Sequence, residues 1–499
     1  MNLSRIVERW AAFQPHKTAV HFRGSDLSYA QLWRRIDQAG IRLGGLGVGR
    51  GDRVAYLGYN SPDILVLLFA LARIGAMLVP LNFRLAAPEH QAILAHSGAK
   101  CLLAEPDFCA HGDTLRAALP GLMLLSLDGA REGWRDWNAL QPARPRADSS
   151  GTDADPVLMV YTSGTTGKPK GAVHTQSGLL WNAVNSTHYH DLTSADHVLT
   201  VLPMFHVGGM CIQTLPALHA GATLTLHPRF DPGAWLADVA SRRPTLTLLV
   251  PAVMRALVDH PAWKQTDLAS LRMAAAGSST IPDSLIAAFH EHGLTVTQIY
   301  GSTETGPVSI YLRAEDARRK AGSAGKAAVH AEVRLVDEND RDVAQGKVGE
   351  ILVRAPNVMQ GYWKDPDNPS FRDGWFRSGD LAFQDEEGYY FVVGRSKDMI
   401  ISGGENIYPA ELENVLADCD QVAEAAVIGL EDAKWGEIAV AAVVRRPGSA
   451  LDAAGVMALF EGRLARYKHP RRVVFMDALP KNVMGKVQKF ELRRAIAAL

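Results

Sequence analysis

The stretch YTSGTTGKPKGA, from Tyr161 to Ala172, groups small, hydroxyl-bearing and basic residues in a way that suits an anion site. Glycines let backbone amides approach an anion closely, and hydroxyl and ammonium groups add further donors. The apolar run 157–160 predicts a short buried strand that enters this loop. We therefore predict a loop that holds a polyphosphate. The predicted phosphate-binding residues are Thr162, Ser163, Gly164, Thr165, Thr166, Gly167, Lys168 and Lys170.

The glycine spacing of this loop differs from that of a Walker A loop, which follows G-x-x-x-x-G-K-[ST]. Here two threonines separate Gly164 from Gly167, and Pro169 rather than Ser or Thr follows Lys168. A glycine- and threonine-rich surface turn is the alternative without a ligand. The stretch resembles the signature loop of the adenylate-forming superfamily, which includes acyl-CoA synthetases, firefly-type luciferases and peptide-synthetase adenylation domains.

Two later strands are predicted to end in polar loops that contain glycine. The strand Met273–Gly277 leads into AAAGSSTIP, and the strand Thr295–Tyr300 leads into YGSTETG. Open α/β sheets bind ligands at the carboxyl ends of their strands. Either loop alone would be an ordinary turn, but together they match the family's adenine-flanking loop and its YGxTE motif. The match implies an adenine site at Gly277, Ser278, Ser279, Tyr300 and Gly301.

Side chains within these loops also suit a metal ion and the α-phosphate. Glu304 is a hard oxygen ligand, and Mg²⁺ usually binds carboxylates together with phosphate oxygens and waters. We predict Glu304 and Thr165 as magnesium ligands and Thr303 as a donor to the α-phosphate.

Three charged residues near the C-terminus complete the predicted nucleotide site. Asp380, in SGDLA, can accept both ribose hydroxyls. Arg395, in GRSKD, can reach ribose or phosphate, with an ordinary surface salt bridge as its alternative. Lys486 lies in a basic tail, where a lysine is normally solvated. However, its setting in LPKNVMGKVQK resembles that of the family's catalytic lysine, which bridges the substrate carboxylate and the α-phosphate during adenylation.

The implied reaction uses ATP, Mg²⁺ and coenzyme A. Transfer of AMP to a carboxylate makes a mixed anhydride that a thiolate can attack, and catalysis must supply cations and donors to developing charge. The resemblance implies a domain rotation between the two steps. It places the hinge at Lys397 and assigns the SGGEN loop, with Gly403 and Gly404, to a thiol tunnel.

The acyl pocket is predicted from PMFHVGGM and from the helix after the strand Thr245–Pro251. Small and apolar groups there favour an uncharged fatty or aryl acid. The run NVMGKVQK is similar to malonyl-CoA synthetases, so a dicarboxylate remains the alternative, with Arg255 as a candidate partner for its distal charge. An amino acid is disfavoured, because PMFHVGG offers no acid to an ammonium group. The predicted pocket residues are His206, Val207, Gly208, Met254 and Arg255.

Three functional hypotheses follow. An acyl- or aryl-CoA synthetase acts on free coenzyme A, whereas a carrier-protein-loading enzyme needs a protein partner. A non-catalytic nucleotide-binding module would be expected to have lost Lys486, Glu304 or Asp380, and all three are present. We favour the first.

Composition narrows the class of protein. The net charge is −1, with 52 basic and 53 acidic residues, so neither nucleic acid nor an anionic membrane is indicated as a partner. The 4 cysteines form no CxxC pair and predict reduced thiols in a cytoplasmic protein. No signal peptide is expected, because the N-terminal MNLSRIVERW has no apolar core region. No transmembrane segment is expected either, since Arg73 and Gly75 interrupt the most apolar stretch, 64–81. A homodimer is left open.

Strand–helix alternation through residues 1–150 predicts a parallel sheet covered on both faces. The expected fold is therefore α/β. The resemblance implies a large N-terminal domain of two αβ sheets plus a small β subdomain, and a smaller mobile α+β C-terminal domain. The predicted boundaries are 1–394 for the first domain, with the β subdomain at about 313–394, then a hinge at 395–398 and the second domain at 399–499. Within that second domain we predict a helix at Ala453–Ala465.

Overall fold

A computed structural model describes residues 2–140, 149–163, 169–278, 281–481 and 485–497, with the backbone alone at Ser163. The helices are α1 Arg5–Phe13, α2 Tyr29–Gly45, α3 Pro62–Ile74, α4 Ala87–Ser97, α5 Cys109–Ala118, α6 Gln176–His190, α7 Val207–Gly209, α8 Leu215–Ala220, α9 Pro232–Arg242, α10 Pro251–Val258, α11 Asp283–Glu291, α12 Pro409–Ala417, α13 Ala453–Ala458 and α14 Lys489–Ala497. A π-helical turn, Met210–Thr214, joins α7 to α8.

The strands are β1 Thr18–Phe22, β2 Ser25–Ser28, β3 Arg53–Leu57, β4 Met77–Pro80, β5 Cys101–Ala104, β6 Met123–Ser126, β7 Arg135–Asp136, β8 Pro156–Ser163, β9 Pro169–Thr175, β10 His197–Thr200, β11 Thr223–Leu226, β12 Leu246–Leu249, β13 Met273–Ala276, β14 Val296–Tyr300, β15 Ile310–Tyr311, β16 Lys326–Ala327, β17 Glu332–Val336, β18 Gly349–Arg354, β19 Gly361–Tyr362, β20 Phe371–Arg372, β21 Trp375–Gln384, β22 Tyr390–Arg395, β23 Ile400–Ser402, β24 Glu405–Ile407, β25 Val422–Asp432, β26 Gly436–Arg445 and β27 Arg472–Phe475.

Two largely parallel sheets form the N-terminal part of the fold. In the described chain one sheet has the order β16-β15-β14-β13-β12-β10-β11-β1-β2, and the other has the order β19-β9-β8-β4-β3-β5-β6-β7. Their central strands pair in parallel, and their apolar side chains are buried, as in β12 and β13. Helices cover such sheets on both faces, which explains the apolar strand sequences. The α/β prediction is therefore confirmed.

Two smaller sheets follow. The first has the order β17-β18-β21-β20 with β22 beside β21, and it corresponds to the predicted β subdomain. The second has the order β24-β23-β26-β25 with β27 beside β26, and α12 and α14 pack on it to make a smaller α+β unit. This unit buries its own apolar residues, such as Leu412 and Val427. The predicted combination of a large α/β part with a smaller α+β part is confirmed.

Local sequence signals explain several element ends. Ser28 caps α2 by accepting from the Gln31 amide, while the Gln31 side chain accepts from the Ser28 amide. Helix α3 is buried along its length and ends at Gly75, whose φ of 75° suits a residue without a Cβ. Pro409 begins α12, where its fixed φ suits the first helical position. In the described chain, no helix is long and apolar enough to cross a membrane.

Two predicted elements need correction. The strand predicted at Thr245–Pro251 ends at Leu249, and Pro251 is instead the first residue of α10, where its fixed φ fits a helix. The helix predicted at Ala453–Ala465 ends at Ala458, and turns follow that include Gly462 with a φ of 71°. The 4 cysteines are free thiols.

Candidate active site

Strands β21 and β22 place Asp380 opposite Arg395, and Tyr300 reaches Asp380 from the end of β14. The Tyr300 hydroxyl donates to Asp380 Oδ2 at 2.8 Å, and Arg395 Nε lies 2.9 Å from Asp380 Oδ1. Asp380 raises the pKa of Arg395, and burial beside this carboxylate raises the pKa of Tyr300. Three residues predicted separately from the sequence thus form one hydrogen-bonded group, which can present a carboxylate and a cation to a nucleotide.

A second group surrounds Glu304. Tyr362, on β19, donates to Glu304 Oε1 at 2.8 Å, and burial together with the Glu304 charge raises the pKa of this phenol. The Tyr362 ring also lies 5.0 Å from Lys170 Nζ, which forms an ion pair of 3.3 Å with Asp365. Lys170 and Glu304, two predicted site residues, are therefore connected through Tyr362.

The predicted phosphate loop joins two antiparallel strands. Thr162 on β8 pairs in register with Lys170 on β9, and the strands remain paired at Ser163 and Pro169. The predicted residues Gly164, Thr165, Thr166, Gly167 and Lys168 lie outside the described residues, as does Ser279.

Glycines allow close backbone approach in the two loops after β13 and β14. A Cβ at Gly277 would lie 2.6 Å from the Ile299 carbonyl oxygen, and one at Gly301 would lie 1.7 Å from the Pro307 carbonyl oxygen. Ser278 has a φ of 74°, an uncommon conformation for a residue with a side chain. Thr303 is buried in the loop before Glu304. At Gly277 and Gly301 the backbone is therefore packed too closely against its neighbours for a side chain.

His206 lies at the start of α7, where its Nδ1 accepts from the Gly208 amide at 3.0 Å. Burial lowers the pKa of His206 to about 4, so the imidazole is neutral at physiological pH. A Cβ at Gly208 would lie 4.0 Å from Ser278 Oγ, so the predicted pocket segment is next to the predicted adenine loop. Val207 is buried beside them.

The remaining predicted pocket residues belong to α10. Met254 is fully buried in the main core, and Arg255 is half-buried. Among the described residues, no hydrogen bond or ion pair joins the Arg255 side chain to the His206 segment.

Lys486 lies near the Asp380 group. Desolvation and the Arg395 charge lower the pKa of Lys486, and this effect exceeds the opposite effect of the Asp380 and Asp398 carboxylates, which raise it. At the neighbouring Gly485, a Cβ would lie 3.9 Å from that of Ala252 on α10. The C-terminal lysine is therefore near both the Asp380 group and the helix beside the predicted acyl pocket.

The predicted hinge and thiol-tunnel residues belong to the segment that follows β22. Lys397 is exposed in a short helical turn, Ser396–Asp398, between β22 and β23. Gly403 and Gly404 form the turn between β23 and β24, and the Gly403 amide donates to the Trp435 carbonyl at 2.7 Å. In the described residues this turn therefore bonds within the C-terminal part and makes no hydrogen bond to the Asp380 group.

The donor set around Glu304 fits magnesium bound together with a nucleotide. No group of three or more His, Cys, Asp or Glu side chains in the described residues could hold a metal by itself. Mg²⁺ usually keeps waters and binds through few carboxylates plus substrate phosphates, so Glu304, bonded to Tyr362 on the strand beside β9, is a suitable partial ligand.

Sequence reasoning missed Tyr362 and Asp365. The run VMQGYWKD, with two aromatic residues next to a basic and an acidic one, was the available signal. It carries no spacing that points to Glu304, because the contact depends on the pairing of β19 with β9.

Comparisons with known families agree with this geometry. The family model of the AMP-binding enzyme matches residues 7–363, and that of the AMP-binding enzyme C-terminal domain matches residues 411–486. The chain is similar to an indoleacetate–CoA ligase of Aromatoleum aromaticum (50% identity, covering 100% of this chain and 98% of the relative). It is also similar to a feruloyl-CoA synthase of an Amycolatopsis species (43% identity, 97% of each).

Solved structures share the fold along the whole chain. An anthranilate CoA ligase, AuaEII, in complex with anthranoyl-AMP superposes with a TM-score of 0.93 at 28% identity, covering 100% of this chain and 98% of that one. ATP-bound MatB from Rhodopseudomonas palustris gives a TM-score of 0.89 at 32% identity, covering 99% of each.

Proposed function

The chain belongs to the AMP-binding enzyme family and is an AMP-forming acid–CoA ligase, and on this premise we propose that its acid is an aryl or arylacetic acid. In the proposed reaction the carboxylate attacks the α-phosphate of ATP and releases pyrophosphate. The thiol of coenzyme A then attacks the acyl-AMP and releases AMP.

The proposal for the first step depends on one observation, the convergence of Lys486 on the group formed by Tyr300, Asp380 and Arg395. An anionic carboxylate approaching an anionic phosphate is repelled, and fixed cations reduce that repulsion most in the transition state. Lys486 is proposed to lie between the carboxylate and the α-phosphate, and Asp380 to accept from the ribose hydroxyls. Thr303 is proposed to donate to the α-phosphate.

Phosphate binding is assigned to the β8–β9 turn and to Lys170. Glu304 is proposed to bind magnesium, with Thr165 as the second protein ligand, and the ion would neutralise charge on the phosphates when bound. Tyr362 holds one oxygen of Glu304, which leaves the other oxygen for this role.

The choice of an aryl acid is supported by the acyl side of the site and by the two relatives. The His206 imidazole is neutral, and the segment around it is apolar, so an uncharged ring is accommodated without an unpaired charge. A dicarboxylate would need cations for its distal group, and in the described residues Arg255 has no contact with this segment.

The second step is proposed to need a different orientation of the C-terminal part. We assign the domains to 1–394 and 399–499 and the hinge to 395–398, with rotation at Lys397. Rotation would withdraw Lys486 and bring the turn at Gly403 and Gly404 to the acyl-AMP.

The test is AMP release that depends on both ATP and coenzyme A, over a panel of carboxylic acids. The panel contains indole-3-acetate, ferulate, benzoate, fatty acids of three lengths and malonate. Lys486→Ala is assayed beside wild type, with Lys481→Ala as the matched control, since Lys481 is paired with Glu424 at 2.6 Å.

We expect turnover with aryl acids that Lys486→Ala loses and Lys481→Ala keeps. Preference for malonate would overturn the aryl assignment. Pyrophosphate exchange without turnover on coenzyme A would show that the acceptor is a carrier protein.

A further inference from the structure

A buried polar network lies directly behind the His206 segment. The helical stretch 207–220 is interrupted by the π-helical turn Met210–Thr214, and such turns frequently occur at functional sites. Gln213 lies in this turn and is 2% exposed. Its side chain reaches both α6 and β12 and joins this buried polar network.

Both hydrogens of the Gln213 amide are already used. Nε2 donates to the Thr247 carbonyl at 3.1 Å and lies 3.1 Å from His190 Nε2. His190 Nδ1 faces the Ser186 carbonyl at 2.9 Å, and a carbonyl can only accept, so Nδ1 carries the hydrogen and Nε2 accepts from Gln213. Turning the amide over would place its oxygen against the Thr247 carbonyl. Its orientation is therefore fixed.

This orientation leaves Gln213 Oε1 as a buried acceptor without a partner among the described residues. The nearby hydroxyls cannot donate to it. Thr214 donates to the Gly209 carbonyl at 2.6 Å, and the Thr200 hydroxyl, 3.0 Å from Thr214 Oγ1, donates to Thr214 in turn. An unpaired buried acceptor costs free energy, and native structures rarely keep one without a reason.

Gln213 borders a cavity of about 10 Å³ that Gly209 and Leu248 also line. Gly208, the residue before Gly209, lies next to Ser278 and His206 in the predicted acyl pocket. The cavity at Gln213 therefore lies along the same helical stretch as the predicted acyl-pocket residues Val207 and Gly208. A space of this size is close to the least that one water needs, so it holds at most a single hydrogen-bonding group.

We propose that Gln213 Oε1 accepts a hydrogen bond from a ring N–H or O–H of the acid, so that the enzyme selects aryl acids with a donor at the ring edge remote from the carboxylate. This inference rests on the proposed function. A fatty tail or a ring without a donor would displace any water from the cavity and leave the oxygen unpaired. The site therefore distinguishes two acids of the same shape when only one of them carries a hydrogen-bond donor on its ring.

The first experiment uses the wild-type enzyme and a pair of acids of nearly the same shape. Indole-3-acetate carries a ring N–H, and benzofuran-3-acetate has an oxygen in its place. We expect kcat/KM to favour indole-3-acetate by about tenfold, the factor typical of one neutral hydrogen bond. Equal values would overturn this inference and leave the aryl assignment standing. No turnover of any aryl acid would overturn both.

The second experiment uses variants. Gln213→Leu should lower kcat/KM for indole-3-acetate by about tenfold and change that for benzofuran-3-acetate by less than about twofold. Ser186→Ala is the matched control, because it removes a buried hydroxyl of the same network, bonded to the Ile212 carbonyl, and leaves Gln213 Oε1 in place. It should keep the preference.

Equal loss on both acids in Gln213→Leu would assign Gln213 a structural role and overturn the inference. Should that variant fail to fold, the wild-type comparison decides the matter alone.

Discussion

The hydroxyl of Tyr362 donates to Glu304 Oε1 at 2.8 Å, although 58 residues separate the two in the chain. Tyr362 comes from β19 at the edge of one sheet, and Glu304 follows β14 in the other. The contact ties the proposed metal ligand to the strand next to the phosphate turn, so Tyr362 acts as a positioning residue for Glu304.

Tyr362→Phe removes this donor and keeps the ring. We expect kcat/KM for ATP to fall by about tenfold, because a hydrogen bond to a charged group is lost. The decrease should be largest at limiting magnesium. Tyr390→Phe is the control, since the Tyr390 hydroxyl lies 3.3 Å from the Val333 carbonyl within the β subdomain. A magnesium dependence equal to that of wild type would contradict the positioning role.

Asp380→Asn tests the group formed with Tyr300 and Arg395. The substitution keeps the shape but removes the charge that pairs with Arg395, so we expect KM for ATP to rise by roughly tenfold or more while KM for the acid changes little. Asp385→Asn breaks a comparable ion pair, of 2.7 Å with Lys320, away from the site. Steady-state kinetics should show a normal KM for ATP in this control. If Asp380→Asn and Asp385→Asn raise KM for ATP equally, the effect reflects general destabilisation of the protein.

Lys397→Pro tests the proposed hinge. Proline fixes φ at one value, so rotation at this residue should be hindered. We expect thioester formation from supplied acyl-AMP to slow at least about tenfold more than pyrophosphate release does. Lys397→Ala, which keeps a free φ, should affect both steps little. If Lys397→Pro slows the two half-reactions equally, residue 397 is not the hinge.

Buried histidines predict a loss of stability in mild acid. Burial lowers the pKa of His90, His174 and His206 to about 4 and that of His190 to about 3. Between about pH 6.5 and 4 the unfolded chain therefore binds more protons than the folded one, so stability is complete above this window and falls as pH decreases through it. Each such group contributes up to roughly 1.4 kcal/mol per pH unit there.

The thermal transition should accordingly move to lower temperature between pH 7.5 and 5.5. His190→Gln should reduce this dependence, whereas His188→Gln, at an exposed position on the same helix, should leave it unchanged. An identical dependence in wild type and His190→Gln would refute the linkage.

The sequence by itself identified the ligand-binding loops and the residues that begin some of the helices. The glycine- and hydroxyl-rich stretch, YGSTETG and SGDLA each identify a ligand-binding loop, because local composition and strand–loop order are properties of a short segment. Ser28 and Pro409 mark helix starts for the same reason.

Only the tertiary structure decided which of these residues meet. The bond from Tyr300 to Asp380 and that from Tyr362 to Glu304 depend on strand pairing across long separations, which periodicity cannot reveal. The unpaired oxygen of Gln213 is a further case, because it emerges only after every neighbouring donor has been assigned to another acceptor. The pairing of donors with acceptors depends on which side chains pack together in the folded protein, so it cannot be predicted from a single position in the sequence.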